Sequence, residues 1–230
     1  MTLLQSGLAK SLAEDYTIDN SLRFPNAAHN SGDAYLSWTP ASAGNRKTWT
    51  YSVWLKRTSN GSVSAMGNYG AIFGAWNGAY AQDELVFRAG TDPDNYLSAE
   101  VYEGGGSGRG RAHTEMVFND PSAWYHIMWV WDTTESAAAD RSIIYVNGER
   151  AAIRSATLLS PALDSLSQIN NSVIQLIGQQ GDSSQWNTSY LAELYFIDGT
   201  ALTPASFGEL NETTNQWIPI DAKDDLTFGT

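Results

Sequence analysis

AWYHIMWVWD, residues 123–132, is apolar on both of its faces. Counted with a period of two, Tyr125, Ile127, Trp129 and Trp131 point one way, and Trp124, His126, Met128 and Val130 the other. A run so rich in rings, with no glycine, predicts a central strand covered on both sides. His126 inside it reads as a packed, hydrogen-bonded core residue. Downstream, IIYVNGER (143–150) holds Asn147-Gly148 between two strand-like runs. That dipeptide predicts a hairpin, because both central residues of a type I′ turn need positive φ. Upstream, Lys47–Arg57 puts Trp49, Tyr51, Val53 and Leu55 on one face, with Thr48, Thr50, Ser52 and Lys56 on the other, interrupted by Trp54. That is the pattern of a half-buried strand.

Working outward, Ser21–Phe24, Ala34–Thr39, Ala71–Trp76, Glu84–Ala89, Leu97–Glu103, Arg111–Phe118, Ser172–Gly178 and Ser189–Ile197 read as further strands separated by Gly, Asn and Asp. In the last, Tyr190, Ala192, Leu194 and Phe196 should share a face. GGGSGRG (104–110) has the composition of a mobile loop tip, and 155–171 that of a connector. Thr203-Pro204 supplies an N-cap and an N1 proline for one short helix near 203–208. About ten strands in about 200 residues predict an all-β fold, a two-sheet antiparallel jelly-roll sandwich over residues 21–220. Residues 1–20 read as an arm in which Leu4, Leu8 and Leu12 recur at i, i+4, i+8 and would dock on a partner. Residues 221–230, ending DDLTFGT, read as the start of a linker or of a following module.

Composition narrows the function classes. Of 230 residues, 25 are acidic and 13 basic, a formal net charge of −12. A surface that tracks phosphates needs clustered Lys and Arg, so neither nucleic acid nor an anionic membrane is an expected partner. With no cysteine there is no disulfide framework, cysteine zinc site or thiol chemistry. No apolar run reaches the roughly 20 residues that span a bilayer. The first twenty residues lack the basic and apolar regions of a secretory signal.

Catalytic signatures are missing. His29, His113 and His126 share no metal-ligand spacing, and neither a GxSxG elbow nor a phosphate-binding loop occurs. Sugar hydrolysis needs two carboxyls roughly 5–9.5 Å apart. Glu193 and Asp198 are five residues apart and so point to opposite faces. Asp83-Glu84 and Glu100/Glu103 fail the same test, which leaves Glu100 alone on its strand face. No catalytic residue is assigned, and the chain is not expected to be an enzyme. Asp92 and Asp94, in the turn Asp92-Pro93-Asp94-Asn95, together with Asp182 are candidate calcium ligands. Their simpler reading is as turn residues, and no cofactor is assigned. Trp76-Asn77 and Trp186-Asn187 sit in or beside polar turns, where a ring can stack on a sugar and an amide can bind its hydroxyls. Trp76, Asn77, Trp186 and Asn187 are therefore the candidate glycan site. Trp38, Trp49, Trp54, Trp124, Trp129 and Trp131 lie on strand positions and are assigned to the core.

Five stretches together resemble a known family: YTIDNSLRF (16–24), AYLSWTPASAGNRKTWTYSVWLKR (34–57), DPSAWYHIMWVWDTT (120–134), IIYVNGER (143–150) and YLAELYFIDGTALTPASFGE (190–209). They are similar to the concanavalin A-like, laminin-G-type jelly-roll modules of tailed-phage virion proteins, notably from marine phages. The Glu-x-Asp-x-x-Glu strand of that fold's glucanases is absent, the nearest stretch being Glu193 to Asp198. The resemblance implies a non-enzymatic structural or adhesion module, as a fibre or appendage component that can bind host surface glycan. A capsid decoration protein, a carbohydrate-binding module and a glycan hydrolase are the alternatives. The implied partners are other virion proteins, copies of the chain itself and host polysaccharide. The implied location is the particle surface, after synthesis in the host cytoplasm without a signal peptide.

Overall fold

Strands of alternating pattern, each too apolar on one face to stand alone, close into two stacked sheets. The computed structural model describes residues 16–24, 34–58, 69–78, 82–88, 95–103, 107–181 and 186–228. The first sheet contains β1 (Leu22–Arg23), β3 (Thr48–Arg57), β8 (Tyr125–Asp132), β9 (Ser142–Val146), β10 (Glu149–Arg150) and β12 (Ser189–Asp198), in the order β1-β12-β3-β8-β9-β10. The second contains β2 (Leu36–Trp38), β4 (Tyr69–Trp76), β5 (Gln82–Arg88), β6 (Tyr96–Glu103), β7 (Ser107–Val117) and β11 (Ile174–Ile177), in the order β2-β11-β4-β5-β6-β7. All neighbours are antiparallel. The fold is the all-β, two-sheet sandwich expected of a jelly roll.

The core forms where the inner faces meet. Trp49, Tyr51, Val53 and Leu55 of β3 and Ile127, Trp129 and Trp131 of β8 face Phe73, Leu85, Phe87, Leu97 and Val101 of the second sheet. Tyr51 lies parallel on Phe73 with centroids 4.4 Å apart, and Trp49 meets Trp129 edge-on at 4.8 Å. Such ring pairs add about 0.5–1.5 kcal/mol beyond the area they bury.

β8 is indeed central, between β3 and β9, and its other face is covered by the chain's own C-terminal part. Met128 and Val130 pack with Ile197, Phe207 and Ala222, joined by Leu202, Ile220 and Leu226. The small sheet β13 (Gly208–Leu210) and β14 (Trp217–Pro219) belongs to this third layer. Thr50 ties the layer down: its Oγ1 donates to the Thr200 carbonyl at 2.8 Å and accepts from the Leu202 amide at 2.9 Å. The turn between β9 and β10 is the expected one, with Asn147 at φ 50° and Gly148 at φ 83°.

Three expectations change. The helix near 203–208 is a single 3-10 turn, Pro204–Ser206, and extended Thr203 makes no side-chain cap bond; a second such turn spans Ala138–Asp140. The glycine stretch at 104–110 is not all loop tip, since β7 begins at Ser107. Gly110 lies against Pro161 and Trp131, where a Cβ would come 3.0 Å and 3.3 Å from their side chains. The alternation in β12 is broken by a bulge between Ala192 and Tyr195, with Glu193 at φ 45°. Ala192, Tyr195 and Ile197 therefore share the outer face, and Phe196 turns inward toward Trp49 at 6.0 Å.

Candidate functional site

A polar network covers the outer face of the second sheet. Leu85 and Phe87 of β5 enter the core, so Glu84 and Arg88 point outward. The β5–β6 register sets Glu84 opposite Glu100 and Val86 opposite Ser98, and β7 adds His113 opposite Ser98. Glu84 is 3% and Glu100 2% exposed. One guanidinium joins the two carboxylates: Arg88 Nε lies 2.8 Å from Glu100 Oε1, and Arg88 Nη2 pairs with Glu84 Oε1. Ser98 Oγ donates to Glu100 Oε1 at 2.6 Å, and His113 Nε2 lies 3.0 Å from the same oxygen. The Tyr102 hydroxyl donates to Glu100 Oε2, and the Gln180 amide donates to Glu84 Oε2.

Burial alone would raise the Glu100 carboxyl. The His113 hydrogen bond, the Arg88 charge and the Ser98 hydroxyl outweigh it and hold the group below the ordinary glutamate value. Directly opposed side chains are about 5 Å apart at Cβ, near the carboxyl spacing of a retaining glycosidase. The chemistry differs. A general acid must keep its proton at working pH, and here both carboxylates are charge partners of one arginine. The network can orient a polar ligand or fix the β5–β6–β7 register.

This pair escapes a strand-by-strand reading, since the two residues lie on different strands. The usable signal was the turn Asp92-Pro93-Asp94-Asn95. The pairing of β5 with β6 sets Glu84 opposite Glu100, so Glu100 is not alone on its face.

The expected glycan residues divide: Trp76 ends β4 opposite Ile174, whereas Trp186 and Asn187 pair with Gln179 and Gly178 beyond the other end of β11. Trp76 is opposite Gln82 on the outer face, half-buried, with its ring against Gly181; Asn77 is exposed. Trp186 and Asn187 are not an open platform, being 9% and 2% exposed. Trp186 bridges Gln179 and packs on Tyr35 at 6.1 Å, and the Asn187 amide N–H donates to the Gly178 carbonyl at 2.8 Å. This pairing draws the segment inward. The side-chain amide of Asn187 and Trp186 Nε1 are buried with no hydrogen-bond partner among the described residues. Asp92, Asp94 and Asp182, and Leu4, Leu8 and Leu12, lie outside the described residues, as does His29. Among the described residues no three His, Asp or Glu side chains gather as a metal site. Asn95, from the expected calcium turn, uses its amide to donate to Asn119 Oδ1 at 2.6 Å.

The tryptophans divide. Trp49, Trp129 and Trp131 are fully buried, whereas Trp38 is 41% and Trp124 37% exposed. Trp38 sits on the edge strand β2, and Trp124 precedes the first residue of β8, so neither is clamped by neighbours on both sides. His126 is fully buried, as expected; its Nε2 is 2.8 Å from Ser52 Oγ, and its Nδ1 accepts from Trp217 Nε1 at 3.0 Å.

Residues 30–206 match the sequence pattern of the concanavalin A-like lectin/glucanases superfamily. No curated protein sequence matches significantly. Among solved structures, a native heptameric SAP-like pentraxin from Limulus polyphemus superposes with a TM-score of 0.53 at 18% identity, over 79% of this chain and 76% of that one. The binding domain of Paraclostridial Mosquitocidal Protein 1 gives 0.52 at 12%, over 83% and 45%. Domains LG4-5 of the mouse laminin alpha1 chain give 0.50 at 12%, over 81% and 44%. This chain thus spans under half the length of the latter two. At these identities the likeness speaks for the fold, and the sequence match for the kinship: the chain belongs to the concanavalin A-like lectin/glucanase superfamily.

Proposed function

We propose that this chain is a non-enzymatic adhesion module of a tailed-phage virion, carried on a fibre or appendage and binding host surface glycan. The observation that carries the non-enzymatic part is the pairing of Glu84 and Glu100 with one arginine. The opposed carboxylates share the Arg88 guanidinium, and Glu100 is held in its ionised form. A hydrolase of this fold needs one carboxyl to stay protonated. Binding is in keeping with the superfamily, and one of the structures similar to this chain is named as a binding domain. Assembly into copies is in keeping with the heptameric pentraxin.

The virion setting is supported by SAGNRKTWT (42–50), DPSAWYH (120–126) and ALTPASFGE (201–209), which resemble phage modules. A net charge of −12 would keep a multicopy part soluble and away from packaged DNA. The test is immunogold electron microscopy of source-phage particles with antibody to this chain. Label on fibres or tail tip is the expected result. Label over the capsid would make the chain a decoration protein, and unlabelled particles would overturn the virion setting. Release of reducing ends from host polysaccharide by the purified chain would overturn the non-enzymatic assignment.

A further inference from the structure

We propose that a neutral oligosaccharide binds in the tryptophan-lined groove between the β9–β10 hairpin and the C-terminal layer, with Trp124 as its stacking platform. The proposal rests on the glycan-binding reading and places that binding on the first sheet, away from Trp76.

The groove is a hollow of about 760 Å³ lined by Trp54, Trp124, Asn147, Glu149, Asn215 and Trp217, with Gln216 at its rim. That volume lies within the roughly 300–1,000 Å³ usual for small-molecule sites. A second hollow of about 330 Å³ shares Trp54 and Trp124 and runs on beneath residues 16–21 and Pro219.

The floor is rigid. Trp54 stacks on His126 at 5.2 Å, and His126 lies nearly parallel to Trp217 at 6.0 Å. Trp217 is held by its bond to His126 and by the space over Gly148, where a Cβ would come 2.5 Å from the ring. Asn147 is fixed by accepting the His126 amide on Oδ1 at 2.8 Å. Against this floor Trp54 is 6% exposed and Trp217 half-buried, whereas Trp124 is 37% exposed. A rigid aromatic ring can take the C–H face of a pyranose at little conformational cost.

The polar lining completes the case. Glu149, Asn215 and Gln216 are exposed, and their side chains make no hydrogen bond among the described residues. Two amides and a carboxylate are the groups that pair with vicinal hydroxyls, as donors and acceptors. Among the described residues no lysine or arginine lines either hollow, while Glu149 and Asp19 do. A sulfated, sialylated or uronic-acid chain would meet like charge without a counter-ion, so the fitting ligand is neutral.

The test uses the whole chain with cellohexaose, xylohexaose, maltohexaose and mannan oligosaccharides as neutral probes. Alginate and hyaluronan fragments serve as anionic ones. Affinity is read by calorimetry and tryptophan fluorescence for the wild type, Trp124→Ala, the double variant Asn215→Ala/Gln216→Ala, and Trp76→Ala. The expected result is binding of at least one neutral probe, lost roughly tenfold or more in Trp124→Ala, reduced in the double variant and kept in Trp76→Ala. All three variants change partly or wholly exposed side chains, and circular dichroism checks that each is folded. Neutral binding unchanged by Trp124→Ala, or lost in Trp76→Ala alone, would overturn the groove and leave glycan binding standing. Binding of anionic probes only would overturn the charge argument for the groove. Binding of no glycan from a panel of host polysaccharides would overturn the glycan reading itself.

Discussion

Two buried groups pull the pH dependence of stability in opposite directions, and single substitutions should separate them. Asp83 faces the core from β5. Its Oδ2 accepts the amides of Ile169, at 2.9 Å, and Gln168, while Oδ1 has no partner among the described residues. Burial outweighs those bonds and pushes its carboxyl from 3.8 up to about 7. Its neutral form is therefore the one the fold prefers. The stabilisation is complete below pH 4 or so and is lost as pH rises through about 7. His126 does the reverse. The Trp217 indole N–H can only donate, so Nδ1 must be an unprotonated acceptor and Nε2–H donates to Ser52 Oγ. Burial lowers this imidazole from 6.5 to about 4. Its contribution is present above 6.5 and is lost as pH falls through about 4.

At 1.36 kcal/mol per pH unit the full effects are on the order of 4 kcal/mol for Asp83 and 3 kcal/mol for His126. Between about pH 4.5 and about pH 6.5 each amounts to about 2 kcal/mol, with opposite sign, so the wild type should be nearly flat there. Asp83→Asn keeps an acceptor for the two amides and removes the charge; its stability should rise by about 2 kcal/mol from about pH 4.5 to about 6.5. His126→Gln keeps an acceptor for Trp217; its stability should fall by a similar amount over the same range. Urea-unfolding free energies at three pH values measure both. Two variants as flat as the wild type, or slopes of the opposite signs, would refute the burial argument.

Two further substitutions test the architecture. Arg88→Met leaves Glu84 and Glu100 facing each other with no guanidinium between them, and should cost about 3–5 kcal/mol near neutral pH. Adding Glu84→Gln should recover much of that loss in chemical denaturation; no recovery would show that the carboxylate pair is not what arginine neutralises. Gly148→Ala places a Cβ at φ 83° against the Trp217 ring and should lower stability by about 1–3 kcal/mol, with a shift in tryptophan fluorescence as the ring is displaced. An unchanged melting temperature and spectrum would mean that Trp217 does not pack over the hairpin.

The strands and the hairpin were legible from residue order alone, because their causes are local. A period of two along β3, ring after ring along β8, and two positive-φ positions at Asn147-Gly148 each act over a few residues. The same local view recognised His126 as a packed core histidine. It did not show what covers the outer face of β8. That cover comes from Phe207, Trp217 and Ala222, far along the chain from the strand's end at Asp132. Nor did it show Glu84 meeting Glu100, since cross-strand neighbours depend on how a hairpin registers and not on parity within one strand. Bulges between Ala71 and Phe73 and between Ala192 and Tyr195 shift that parity further. Trp124 and Trp186 show the limit most plainly. The first, inside an apolar run, is open; the second, beside a polar turn, is buried. Composition limits which side chains must find cover, but which of them find it depends on the segments that pack against them, and those contacts form between residues far apart in the chain.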